Sequence, residues 1–246
     1  MNITAYKTHK IQANENLLEI LDKYLPKLQE KSVVAIASKI VGICEGRVIK
    51  KESDKQKEQL IKQEAQYYLP QKRMEFLLTI HHHILVANAG IDESNSNGYL
   101  SFWPKNPQQS VNTIREYLAK KNKLKHLGIV ITDSKVAPLR WGVTGYALAH
   151  SGFIALNSYI GKTDIFGKKM LAEQLNMADS LATAAVINTG EGNEQQPLAV
   201  ITDIPALNFQ SRNPTAEELN ALIMNPKDDM YASLLTSVKW TKGSTK

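Results

Sequence analysis

The chain of 246 residues predicts a mixed α+β fold, on three observations. Short apolar runs of strand length recur at 33–37, 84–87, 127–131 and 198–201. Segments with apolar residues at helical spacing lie between them. The two kinds of segment mix without the regular alternation of a doubly wound sheet, so mixed sheets with flanking helices are expected.

Along the chain, Leu17, Ile20, Leu21, Tyr24, Leu25 and Leu28 recur at helical spacing, with Asn14 as the expected N-cap and Pro26 as the stop. The run Val33-Val34-Ala35-Ile36-Ala37 is a buried strand by composition. Residues 53 to 69 open on Ser53-Asp54 and carry Leu60, Ile61, Ala65 and Leu69 on one stripe, which predicts an exposed amphipathic helix ending before Pro70. Ile84-Leu85-Val86-Ala87 predicts a strand that runs into Asn88-Ala89-Gly90 and a polar loop from Asp92 to Gly98. Val111, Ile114, Tyr117 and Leu118 make a helix face. Leu127 to Ile131 predicts a strand ending at Thr132-Asp133-Ser134. Leu171, Leu175, Ala178, Leu181, Ala182 and Ala185 predict one long helix over 168–188, followed by a turn and a strand at 198–201. Thr215 and Glu218 have the spacing of a capping box. No repeat stands out, so a single domain over 1–246 is expected, with a weak boundary near 205–215 and a frayed tail from Lys242 to Lys246.

Composition narrows the function classes. Hydrophobic residues at 43% and charged residues at 22% suit a globular protein with a core. The net charge of +6 favours an anionic partner. The lysines, among them Lys27, Lys31, Lys55, Lys57, Lys120, Lys121, Lys123 and Lys125, are scattered and not interleaved with aromatics, which argues against nucleic acid. One cysteine, Cys44, excludes an intrachain disulfide, and no apolar stretch reaches membrane-spanning length. A cytoplasmic location with no membrane partner is the expectation.

Three acids share one context. Asp92 follows a strand and an Ala-Gly turn, Asp133 closes another strand, and Glu191 lies between two glycines after a helix. Carboxylates arriving from separate loops suit Mg²⁺ or Mn²⁺, and Ser134 would add a hydroxyl oxygen. The same residues also suit turns and helix caps, and spacing alone leaves both readings open. Gly190-Glu191-Gly192 would let backbone N–H groups approach a phosphate, and Ser38-Lys39 places a cation after the first strand. Neither Walker nor Rossmann glycine patterns occur. His81-His82-His83 reads as a strand edge, because neighbours on a strand point to opposite faces. Arg140, Gly142 and Thr144 fit an anion-binding turn or a plain hairpin, and Cys44 reads as a small packing residue.

Taken together, several segments resemble the coenzyme F420-0:γ-glutamyl ligase family. They are Ile36-Ala37-Ser38-Lys39-Ile40-Val41 with Glu45-Gly46-Arg47, Ala87-Asn88-Ala89-Gly90-Ile91-Asp92-Glu93-Ser94-Asn95, Ile131-Thr132-Asp133-Ser134, Arg140 through Gly145, Gly161-x-x-Asp164-x-Phe166-Gly167, and Gly190-Glu191. The resemblance spans roughly residues 5 to 203. It implies an α+β fold, an intertwined homodimer, and a GTP-using (or ATP-using) ligase that joins L-glutamate to a carboxylate acceptor with two Mg²⁺ or Mn²⁺ ions per site. Asp92 and Asp133 correspond to ligands of the first ion, and Ser134 and Glu191 to ligands of the second. Ser38, Lys39 and Asn95 correspond to nucleotide contacts. So do the segments Thr8-His9-Lys10-Ile11 and Thr189-Gly190-Glu191-Gly192-Asn193-Glu194-Gln195-Gln196.

There are departures. The family's Ser-Lys before Ala-Glu-Gly is Gly42-Ile43 here, its Phe-Gly-Arg-Pro is Lys135-Val136-Ala137-Pro138, and its Pro-Gly-Asp-Asp is Ala13-Asn14-Glu15-Asn16. They leave the acid set intact and bear on the acceptor, which is of F420-0 type or, in the branch the altered loop favours, of folate or pteroate type. The missing lysine motivates an alternative, a catalytically degenerate, metal-dependent nucleotide-binding regulatory protein.

Overall fold

The computed structural model describes residues 1–244. Strand β1 (Asn2–Tyr6) leads to helix α1 (Leu17–Tyr24), strand β2 (Ser32–Ala37), helix α2 (Ser38–Cys44) and strand β3 (Val48–Lys50). Helix α3 (Asp54–Glu64) precedes β4 (Tyr67–Tyr68), β5 (Leu78–His81), β6 (Ile84–Ala87) and β7 (Tyr99–Ser101). Helix α4 (Pro107–Asn122) is followed by β8 (Leu127–Val136), β9 (Val143–Ser151), β10 (Leu156–Ser158), β11 (Gln174–Asn176) and helix α5 (Met177–Thr189). The chain closes with β12 (Leu198–Thr202), α6 (Ala216–Asn220), α7 (Ala232–Ser237) and β13 (Thr241–Lys242). This is the expected mixed α+β class. Among the described residues no helix is long and apolar enough to cross a membrane.

A five-stranded sheet in the order β1-β12-β2-β8-β9 divides the main core in two. Strand β2 is buried on both faces, and its period-two alternation decides which residue goes where. Val34 and Ile36 join Leu21, Val111, Ile114, Leu118, Ile129 and Ile131 under α1, α2 and α4. Val33 and Ala35 join Val130, Ala178, Leu181, Ala182 and Ala185 under α5. Of the four pairings only β2 with β8 is parallel, so both strands deliver their C-terminal ends to one edge of the sheet. A four-stranded sheet, β13-β4-β5-β6, lies apart from it, as does the β3–β7 pair.

Several boundaries differ from the sequence expectation. Asn16, not Asn14, caps α1, accepting from the Leu18 N–H at 3.1 Å, while Asn14 takes a turn conformation at φ 65°. The predicted helix over 168–188 exists only from Met177 onward. Residues before it form a hairpin, with Met170 N–H donating to Lys162 at 2.9 Å and β10 paired to β11. Leu171 is 78% exposed, so its helical spacing was coincidental, and Asn176 is the real N-cap, 3.0 Å from the Asp179 N–H. The helix expected over 53–69 stops at Glu64, and Tyr67–Tyr68 pairs as strand, as aromatics favour. The tail is not frayed through Gly243: Thr241 and Lys242 pair with β4, and Gly243 N–H donates to Gln66 at 2.9 Å. Residues 245–246 of that expectation lie outside the described residues. The capping box at Thr215 and Glu218 is present as expected.

Only His81 of the three histidines belongs to a strand. His82 and His83 form the β5–β6 turn at φ 47° and 61°. Burial pushes His81 down to about 3 and His150 down to about 4. Both lie below the ordinary value, so the unfolded chain takes up protons first as pH falls through about 6.5, and the fold loses stability down to those folded values. Burial lowers His82 as well, while Asp133, raised by burial to about 6, and Glu191, also raised, act with the opposite sign, two carboxyls against three histidines. The melting temperature is therefore expected to fall between pH 7 and pH 5, and His150→Phe to flatten that slope. A pH-independent melting curve would contradict this.

Candidate functional site

The parallel pair brings two motifs side by side. Ala37 is in register with Thr132, so Ser38 at the start of α2 adjoins Asp133 on β8. The sequence expectation that Asp133 closes its strand is corrected by the structure. β8 continues to Val136 after a register shift between Ile131 and Thr132, and that irregularity re-aims the residues that follow. Ser134 N–H donates to Asp133 Oδ1 at 2.8 Å. The indole Nε1–H of Trp103 donates to Asp133 Oδ2.

Asp92 arrives through a strained turn. Asn88, Ala89 and Gly90 all have positive φ, at 55°, 53° and 74°. Non-glycine residues there cost roughly 1–2 kcal/mol each. Buried hydrogen bonds hold the turn, with Leu77 N–H donating to Asn88 Oδ1 at 3.0 Å and Ala89 N–H to Thr79 Oγ1 at 2.9 Å. Gly90 has no alternative, because a Cβ there would stand 2.0 Å from Trp103 Cε2. Past the turn, Ser94 donates to both Asp92 oxygens, from N–H at 2.8 Å and from Oγ at 2.7 Å. Lys39 pairs with the Asp92 carboxylate and donates to the Ser94 carbonyl at 2.8 Å.

Glu191 completes the group. Ser134 Oγ donates to Glu191 Oε2 at 3.2 Å, and Asn95 Nδ2 donates to the Gly192 carbonyl at 2.8 Å. The loop from Thr189 to Gln196 is also fixed at its far end. Thr8 N–H donates to the Gln195 carbonyl at 3.1 Å, Gln195 Nε2 donates to the Thr8 carbonyl at 2.6 Å, and Ala37 N–H donates to Pro197 at 2.9 Å. Glu194 folds back to accept from Gly192 N–H at 2.8 Å and lies over Gly190, while Asn193 stays exposed.

The charge of Asp92 acts on both Asp133 and Glu191. Burial raises Asp133 to about 6, and the charge of Asp92 adds to the effect. Glu191 is raised by desolvation and by the charge of Asp92, against the Ser134 hydrogen bond and the Lys39 charge. Burial also acts on Asp92, but the Lys39 charge and the Lys39 and Ser94 hydrogen bonds outweigh it and hold that group low. Lys39 thus acts on Asp92 and Glu191 but not on Asp133, and Glu194 adds a further negative charge beside Glu191. Among the described residues no three His, Cys, Asp or Glu side chains are drawn together tightly enough to hold an ion as they stand. The donor set nonetheless has the chemistry a divalent cation takes: hard carboxylate and hydroxyl oxygens, with Asp133 and Glu191 raised chiefly by burial and further by the charge of Asp92.

Asp92, Asp133, Ser134, Glu191, Ser38, Lys39, Asn95, Thr8 and the 189–196 loop are joined in this way. His9 and Ile11 turn elsewhere. His9 bonds Tyr24 Oη at 2.8 Å and Glu15 Oε2 at 2.7 Å, Ile11 packs on the core beside α1, and Lys10 is exposed. Arg140 sits exposed at the tip of the β8–β9 hairpin. Cys44 is a packing residue whose thiol burial pushes up to about 12. Gly42, where the family carries a serine, touches the Phe102 backbone so closely that a Cβ would stand 2.0 Å from its carbonyl oxygen. Sequence reasoning missed Trp103 and Tyr146, which underlie Asp133. A tryptophan N–H needs an acceptor when buried, but nothing in the sequence names which.

A family model described as F420-0:Gamma-glutamyl ligase matches residues 5–203. The proteins named coenzyme F420:L-glutamate ligase from Methanococcus maripaludis and Methanosarcina mazei are similar to this chain. The first is 30% identical over 83% of this chain and 89% of its own length. The second is 32% identical over 81% of this chain and 84% of its own length. The counterpart in Methanocaldococcus jannaschii is 29% identical over 80% of this chain and 86% of its own length. With a match of that extent, the chain belongs to the F420-0:γ-glutamyl ligase family of enzymes.

Proposed function

We propose that this protein joins L-glutamate through an amide bond to an acidic small-molecule acceptor, using GTP, or ATP in its place, as phosphoryl donor. The observation that supports this most is the placement of Asp92, Asp133, Ser134 and Glu191 from three separate segments around Lys39, with Ser134 bonded to Glu191, Lys39 paired with Asp92 and the charge of Asp92 acting on Asp133 and Glu191. Those oxygens would hold two Mg²⁺ or Mn²⁺ ions, which supply neutralisation of phosphate charge and alignment of phosphoryl transfer.

A free carboxylate is a poor acyl donor because its leaving group is oxide. In the reaction we propose, an acceptor carboxylate oxygen takes the γ-phosphoryl group and the nucleoside diphosphate leaves. The amine of glutamate then attacks the acyl carbon, loses a proton, and phosphate departs. The contribution of the chain is positional and electrostatic. Lys39 and Ser38 border the nucleotide phosphates, and the loop from Thr189 to Gln196, tied to Thr8 and Asn95, forms the wall of the nucleotide site. Water exclusion protects the acyl phosphate from hydrolysis. Folate- or pteroate-type and F420-0-type acceptors share the reacting carboxylate, and the substituted stretch Lys135-Val136-Ala137-Pro138 supports the former. The exposed Leu139 and Trp141 of one hairpin tip, and Ile165 and Phe166 of another, fit the apolar surface a homodimer would cover.

The test is phosphate release coupled to amide formation with GTP or ATP, L-glutamate and Mn²⁺, against dihydropteroate, a folate and the deazaflavin acceptor. One acceptor is expected to give phosphate and amide in equal amounts, dependent on every component. Metal-dependent GTP binding without turnover on any acceptor would support the degenerate nucleotide-binding protein instead.

A further inference from the structure

Trp103 belongs to none of the segments that carry the family resemblance, yet it makes direct contact with the acid cluster. It is 2% exposed, and its indole N–H donates to Asp133 Oδ2 while Ser134 N–H donates to Oδ1 at 2.8 Å. Each carboxylate oxygen therefore has a donor, the Ser38 side chain also hydrogen-bonds the group, and the Trp103 and Ser134 donors on opposite oxygens set the carboxyl plane. The indole is itself clamped. Gly90 lies against it, where a Cβ would stand 2.0 Å from Cε2 and 2.3 Å from Nε1. His81 stacks on it at 5.2 Å between ring centroids and 19° between planes, and Tyr146 meets it edge-on at 6.4 Å and 62°. Arg47 Nε donates to the Trp103 carbonyl at 2.8 Å, which fixes the backbone. A tryptophan present only to fill space would satisfy its N–H on any buried carbonyl. Here Gly90, His81 and Tyr146 hold the ring while its N–H meets one carboxylate of the site.

We propose that Trp103 is a positioning residue that holds the Asp133 carboxylate in one rotamer, leaving its remaining lone pairs for a divalent cation. The inference rests on the reading of Asp133 as a cation ligand. It assigns Trp103 the part that partners of metal ligands play elsewhere, orienting the ligand without touching the ion. Losing the N–H would free Asp133 to sample other orientations without removing the packing of the ring.

The test separates the N–H from the bulk. Trp103 is replaced by benzothienylalanine, which keeps the shape of indole and exchanges N–H for sulfur, and separately by Phe. Free Mn²⁺ is measured by electron paramagnetic resonance during titration with GTP present, alongside Tm, kcat and the KM for glutamate. The benzothienylalanine protein is expected to bind Mn²⁺ about tenfold more weakly. Its kcat should fall while Tm and the KM for glutamate stay unchanged. Trp103→Phe should weaken Mn²⁺ binding similarly and lower Tm as well. Wild-type Mn²⁺ affinity in the benzothienylalanine protein would overturn the proposal. Asp133→Asn, measured in parallel, distinguishes the two levels. If it abolishes Mn²⁺ binding while the isostere changes nothing, the cation reading stands and the role of Trp103 falls. If it too binds Mn²⁺ normally, the cation reading falls and this proposal with it.

Discussion

Asp133→Asn is expected to leave a folded protein with at least about a thousandfold less ligase turnover, on the order of 4 kcal/mol of transition-state stabilisation. The substitution is isosteric. The Asn oxygen keeps one of the two donors, Trp103 or Ser134 N–H, while its NH2 group faces the other and loses that one hydrogen bond, so the local packing survives with one bond fewer. What disappears is a charge in a place where charge is costly. Burial raises the Asp133 carboxyl to about 6, above its ordinary value, so its ionisation opposes folding as pH rises through that value. At pH 7 to 8 the Asn protein should therefore melt close to the wild-type temperature, relief of the buried charge offsetting the one lost hydrogen bond. A protein selected for stability alone would not keep a carboxylate there, whereas a cation beside it would reward the charge. Phosphate release and thermal melting on the same preparation check the prediction, and wild-type turnover would contradict it.

Gly90→Ala is expected to destabilise the fold by about 2–4 kcal/mol and to abolish activity, by two mechanisms that add. The φ of 74° belongs to the left-handed region, where Ala costs roughly 1 kcal/mol relative to Gly. The new methyl would also stand 2.0 Å from Trp103 Cε2, and the indole has no room to retreat because His81 stacks on it and Tyr146 meets it edge-on. Overpacking of this kind costs about 1–3 kcal/mol by itself. Asp92 follows two residues later, so any shift of the turn also displaces its carboxylate from Lys39. Urea unfolding gives the stability change, and residual activity in the fraction that stays folded gives the functional one. A stable, active Gly90→Ala protein would mean that the turn and the indole are not coupled.

Much of this site was legible in the sequence because its chemistry-bearing residues stand next to strong local signals. Asp92 follows an apolar strand and an Ala-Gly turn, and Glu191 sits between glycines after a helix, so each reads as a rigid, reachable acid. Spacing did not show that they meet. That depends on β2 and β8 lying parallel and adjacent, a pairing between residues nearly a hundred positions apart. The resemblance to a family supplied what local pattern lacked. Three things stayed hidden for physical reasons. Asp133 lies inside a strand because pairing with β9 carries β8 on through a register irregularity, past the end of its apolar run. The stretch 156–176 is a hairpin because Leu171 and Leu175 never reach a core, although their spacing mimics a helix. Trp103 touches Asp133 through tertiary packing alone, with Gly90 making the space, and neither residue advertises the other.

The most direct measurement of the central claim is the number of Mn²⁺ ions bound per chain with GTP present, counted by equilibrium dialysis for the wild type and for Asp92→Asn, Asp133→Asn and Glu191→Gln. Two ions are expected in the wild type, with fewer in each variant and unchanged folding. A count that is the same in all four proteins would show that these carboxylates do not hold the cations, and the account built on their convergence would fail.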